Sequence, residues 1–115
     1  MSTASIKTLA NHAEWSEKEI EKYLVKECGR RGWLCLKYSN QNVTGYPDRV
    51  VMLPGSHCIW VEVKSHGKHP TKLQTERHIE LMKAGAVVYT VASKDEVDNA
   101  LRAASWTLLS MPTDV

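Results

Sequence analysis

The sequence has little of what assigns a small protein to a class at sight. Cysteine is scarce: Cys28, Cys35 and Cys58 make an odd count with no Cys-x-x-Cys spacing. This argues against a disulfide framework and against a zinc site, and reads as buried thiols in a reducing compartment. No apolar run approaches the roughly 20 residues that a helix needs to cross a bilayer, and the N-terminus lacks the apolar core of a secretion signal. Internal repeats and low-complexity tracts are absent. Neither sign of charge dominates, since 15 Lys and Arg against 13 Asp and Glu leave a net +2. Such a balance permits nucleic-acid binding without arguing for it, so that case rests on local charge and site chemistry. An apolar fraction of 43% over 115 residues does not indicate disorder. The expectation is one domain (1–115) with a modest core, soluble and intracellular.

What is present concentrates between Gly45 and Lys64. Gly-Tyr-Pro-Asp-Arg leads into an apolar run from Val50 to Leu53, a Pro-Gly turn, and His-Cys-Ile-Trp-Val-Glu-Val-Lys. Strand side chains alternate faces with period 2. Cys58, Trp60, Glu62 and Lys64 therefore share one face, and Ile59, Val61 and Val63 the other. Pro54-Gly55 marks a turn, so the two segments read as a hairpin. Closing it carries Asp48, at the start of one strand, toward Glu62 near the end of the next. Two carboxylates and a lysine then converge, a donor set suited to a hard divalent cation such as Mg2+ or Mn2+.

The ordered pattern Gly45-x-Pro47-Asp48-Arg49, then Trp60-Val61-Glu62-Val63-Lys64, a basic loop and Gln74 resembles the PD-(D/E)XK nuclease superfamily, in particular its VRR-NUC branch of virus-type replication-repair nucleases. The resemblance spans roughly residues 16–92. It implies an α/β fold with a mixed sheet flanked by helices. It also implies phosphodiester hydrolysis with Asp48 and Glu62 as metal ligands, the backbone carbonyl of Val63 as a further ligand, and Lys64 as the lysine that positions the nucleophilic water or stabilises the pentacovalent phosphate. Gln74 would lie beside Lys64, orienting water or phosphate. A glutamate of the first helix would approach the metal, in part through water. That role falls to Glu21, about three turns before Gly32, with Glu17 as its rival and Glu19 as a cap.

Read in order, residues 1–14 lack periodicity and form a loose arm. Trp15-Ser16-x-x-Glu19-Ile20 starts a helix that runs to about Arg30, with Ile20, Leu24 and Cys28 as its buried stripe. Trp33 to Tyr38 is the first strand, and Ser39 to Gly45 a polar loop. Lys37 and Gln41 are candidate nucleic-acid contacts, the alternative for Gln41 being an ordinary polar loop. After the hairpin, the basic loop 65–72 offers Lys68 and Lys72 to phosphates. His66 and His69 have metal-ligand spacing, against the ordinary reading of solvated loop histidines. Pro70-Thr71-x-x-Gln74 opens the second helix, where Gln74 also fits a capping box. Arg77 and Lys83 belong to its solvated face. Ala86 to Val91 reads as a strand covered on both faces, Ser93-x-x-Glu96 caps a third helix, and 105–115 form an apolar tail. The order is αβββαβα.

By resemblance, the expected activity is that of a Mg2+- or Mn2+-dependent endodeoxyribonuclease acting on branched DNA, foremost the four-way Holliday junction, as a homodimer of compact chains in DNA recombination and repair. No organic cofactor and no membrane partner is expected. The alternatives are a flap-type nuclease, as in the larger Fanconi-associated enzyme, and a non-catalytic nucleic-acid-binding module of the same fold. The complete set of acids and lysine argues against the latter.

Overall fold

A computed structural model of the chain describes residues 15–109. The N-terminal arm expected at 1–14 and the tail after Leu109 lie outside the described residues. The elements are α1 (Glu17–Arg30), β1 (Leu34–Lys37), β2 (Arg49–Leu53), β3 (His57–Val63), α2 (Lys72–Lys83), β4 (Val87–Val91) and α3 (Lys94–Leu109), in the expected order.

Each helix starts where a short polar side chain takes an orphan backbone donor. Ser16 accepts from the Glu19 N–H at the head of α1. Thr71 and Gln74 form a reciprocal capping box at the head of α2. Ser93 accepts from the Glu96 N–H ahead of α3. Helix α1 stops at Arg31–Gly32, where Gly32 adopts φ +75° and the Trp33 N–H returns to the Cys28 carbonyl.

The four strands lie in the order β1-β2-β3-β4. The first two pairings are antiparallel and β3 runs parallel to β4, which requires the crossover that α2 supplies. Pro54–Gly55–Ser56 closes the β2–β3 hairpin, with Gly55 and Ser56 both at positive φ. Alternation sorts the sheet into two faces. Val51, Leu53, Ile59, Val61 and Val63 pack with Ile20, Leu24 and Cys28 of α1 and Val97 and Leu101 of α3 as the buried core. Full burial of each such side chain contributes about 1.5–3 kcal/mol. The Tyr23 hydroxyl donates to Asp98 at 2.6 Å and ties α1 to α3.

The opposite face carries Val50, Met52, Cys58, Trp60 and Glu62. Helix α2 covers only part of it, and Leu34, Leu36 and Met52 stay exposed. Two expectations are adjusted here. Strand β4 meets α2 and α3 on its two faces but lies at the sheet edge, and Val87 at its start keeps 42% of its surface. Of the cysteines only Cys28 is buried, because Cys58 belongs to the open face.

The polar loop before β2 is pinned to α2. Arg77 donates through Nε to the Thr44 carbonyl at 3.0 Å and stacks over the Tyr46 ring, while Tyr46 donates to Glu80. Arg77 is therefore a latch, where the sequence pattern predicts a solvated side chain. Between these contacts Gly45 adopts φ +98°, and a Cβ there would sit 2.9 Å from Leu73 Cγ and 3.0 Å from Arg77 Cγ. Gly45→Ala is expected to destabilise the fold by about 1–3 kcal/mol, through the positive φ and the overlap together. Chemical denaturation checks this, and a change below about 0.5 kcal/mol would show that the loop does not depend on this approach.

Candidate active site

The hairpin register places the two motif acids. Arg49 pairs with Val61 and Val50 with Trp60. One step further Asp48 stands opposite Glu62, and the Tyr38 N–H holds the Asp48 carbonyl at 2.8 Å in the β1 ladder. Because Asp48 turns its backbone toward β1, the Asp48/Glu62 position is a non-hydrogen-bonded one, where Cα atoms approach to about 4.5 Å and side chains crowd most closely. Across this face the row reads Tyr38, Asp48, Glu62, Thr90. The next row, Leu36, Val50, Trp60 and Val88, supplies an apolar flank. Tyr38, Tyr46 and Trp60 pack edge-on there, with the Tyr38 and Trp60 rings 5.0 Å apart.

Glu62 is 1% exposed. Burial pushes its carboxyl up to about 8, and the hydrogen bond to Asp48 and the Asp48 charge add to this, while the Lys64 ammonium opposes it. A buried carboxyl beside another acid's charge keeps its proton unless a cation replaces it, and Glu62 is such a group. Lys64 follows β3, and its N–H bonds the Val91 carbonyl at 2.9 Å. The strand alternation therefore continues through it, and Lys64 shares the face of Glu62.

The same alternation bears on Val63. Its backbone groups point toward β2, since Lys64 and not Val63 donates to Val91. The residue opposite Val63 in the extended register is Pro47, which carries no N–H. The Val63 carbonyl thus has no ladder donor at that position. Among the described residues no three His, Cys, Asp or Glu side chains converge as a metal cage. The donor set is two carboxylates and one main-chain carbonyl, which fits a small hard cation that keeps several waters.

Of the other predicted residues, Glu21 is held elsewhere. Its carboxylate accepts from Arg49 Nε at 2.8 Å, and Arg49 alternates with Asp48 onto the α1 side of the sheet. The first-helix acid whose charge acts on Glu62 is Glu17, one turn earlier. Lys37 pairs with Arg49 and takes that same α1 side, so Tyr38 is the β1 residue beside the acids. Gln74 gives its carboxamide oxygen to the Thr71 N–H at 2.9 Å, leaving its nitrogen as a donor. Gln41, Lys68 and Lys72 are exposed, as are His66 and His69.

One site residue is missing from the motif reading. His78, on α2, is 7% exposed, and its Nε2 lies 3.1 Å from Glu62 Oε1. Burial, with Lys64 adding, holds the ring below the usual histidine range, so it is neutral near pH 7. The available signal was helical spacing: His78 lies one turn after Gln74, four residues on, and so shares its face.

Burial of Glu62 has a pH consequence in the cation-free protein. Its folded pKa lies above its unfolded one, so between about 4.5 and 8 the native state binds the extra proton. Stability is then fully present below the unfolded value and falls as pH rises through about 8. In EDTA, the thermal midpoint of the wild type should fall from pH 5 to pH 9. Glu62→Gln, neutral throughout, should flatten that fall. Parallel pH profiles for the two proteins would contradict the buried-acid assignment.

No family model matches the chain. A protein named "Putative nuclease p44", from Acyrthosiphon pisum secondary endosymbiont phage 1, is 38% identical over 79 residues, which span 69% of this chain and 85% of the phage protein. A solved structure described as a VRR-NUC domain superposes with a TM-score of 0.71 at 29% identity, covering 76% of this chain and 97% of that one. With this likeness, the αβββαβα order and the opposed acids on the hairpin, the chain belongs to the VRR-NUC nucleases and has their PD-(D/E)XK-like fold.

Proposed function

We propose that this nuclease is a divalent-cation-dependent endonuclease that hydrolyses phosphodiester bonds in branched DNA, with the four-way junction as its preferred substrate and a homodimer as its working form. The observation that carries the reading is the Asp48/Glu62 pair, opposed across the hairpin with Glu62 buried and Lys64 on the same face. Asp48, Glu62 and the Val63 carbonyl are the residues assigned to hold Mg2+ or Mn2+, with Glu17 in place of Glu21 as the first-helix acid acting through water. A bound divalent cation supplies an acidified water and offsets negative charge on the phosphoryl group.

Lys64 directs its ammonium at the phosphoryl oxygens, where negative charge grows as the water oxygen bonds to phosphorus and the bond to the leaving sugar oxygen breaks. The leaving oxygen ends protonated. The Gln74 nitrogen is assigned to donate to water or phosphate. Lys68, Lys72 and Gln41 are assigned to the DNA backbone, with Lys37 at the far side of the sheet. Two copies related by a two-fold axis place two sites on the two strands that a symmetric cut requires. The exposed apolar residues Leu34, Leu36 and Met52 offer one surface for such pairing.

The test is cleavage of a labelled four-way junction beside flap, linear duplex and single-stranded DNA, with Mg2+ or Mn2+ and with EDTA. Paired symmetric cuts in the junction that EDTA abolishes are expected. Asp48→Asn and Glu62→Gln should reduce cleavage to background, and Lys64→Met should slow it roughly 10²–10³-fold, all three keeping DNA affinity. Preferential flap cutting would overturn the junction assignment. DNA binding without metal-dependent cutting of any substrate would favour the binding-module reading. Wild-type rates in Asp48→Asn or Glu62→Gln would overturn the site.

A further inference from the structure

We propose that His78 is a positioning residue for the cation site: its Nε2–H holds Glu62 Oε1, so that the second carboxylate oxygen is turned to Asp48 and the metal. This rests on the cation reading above. The geometry is a 3.1 Å contact between two side chains that are 9% and 1% exposed. A carboxylate that holds a cation is an acceptor only, so the ring nitrogen must be the donor. Burial leaves neither group free to exchange its partner for bulk water.

The helix that carries His78 is itself fixed. The Thr71/Gln74 capping box sets its first turn, and Arg77 and Tyr46 bind it to the loop that delivers Asp48. Asp48 from the loop side and Glu62 through His78 are thus both referred to α2. His78 is not itself assigned as a ligand, because it does not complete a three-residue cage with the acids. Ligating carboxylates are commonly oriented by such outer partners, whose loss weakens metal binding about 10–100-fold.

Mn2+ titration of the DNA-free protein, followed by the electron paramagnetic resonance signal of free Mn2+, tests this. His78→Leu keeps bulk without a donor, and His78→Gln returns an N–H near the ε position. The Leu variant should raise the Mn2+ Kd about 10–100-fold and the Gln variant no more than about threefold. Excess Mn2+ should then restore junction cleavage by the Leu variant, which a folding defect would not allow. Wild-type affinity in His78→Leu, or equal weakening in both variants, would overturn the proposal. Should the Leu variant melt early in EDTA, His78→Gln is compared with His78→Asn, whose amide stops short of Glu62, and equal Kd values would overturn it. A wild-type protein that binds no Mn2+ would instead overturn the cation reading beneath it.

Discussion

Two carboxylates meet across a non-hydrogen-bonded position of the β2–β3 hairpin, Glu62 almost wholly buried and Asp48 half-buried. Everything around the site answers that electrostatic problem. Like charges at this separation cannot both persist without compensation, and the chain offers two kinds: a proton on Glu62 and the Lys64 ammonium two residues on.

The scaffold holds this arrangement from both faces. Beneath the sheet, Val61 and Val63 are locked into the core against α1 and α3, which fixes the strand that bears Glu62 and Lys64. Above it, α2 reaches the acids through His78 and reaches the Asp48 loop through Arg77 and Glu80. The close approach at Gly45 permits that second contact. One helix thereby sets the spacing between two residues that lie on different strands.

The hairpin, its turn, the alternation of Glu62 with Val61 and Val63, and the three helix caps were all legible, because each is set by neighbours in sequence and by the 2.0 or 3.6 period of the backbone. The pairing of Asp48 with Glu62 was legible as a direction, since a two-strand hairpin has little choice of register once one face is apolar. The first-helix acid was not. Glu17 and Glu21 lie one turn apart on the same side of α1, and nothing local separates them. What separates them is Arg49, which alternates away from Asp48 and takes Glu21 into an ion pair on the far face. Lys37 follows the same parity and goes with Arg49.

Chain order alone thus named the possible chemical partners: an acid before β2, an acid on β3 with a lysine just after it, and helices whose caps and stripes set their ends. These are properties of covalent spacing and local backbone period. Who meets whom between elements was settled by packing: Glu21 onto Arg49, His78 onto Glu62, Arg77 into the loop, and Val87 at an edge. Each of those depends on how a helix is laid against a sheet, which long-range packing settles and no local spacing encodes.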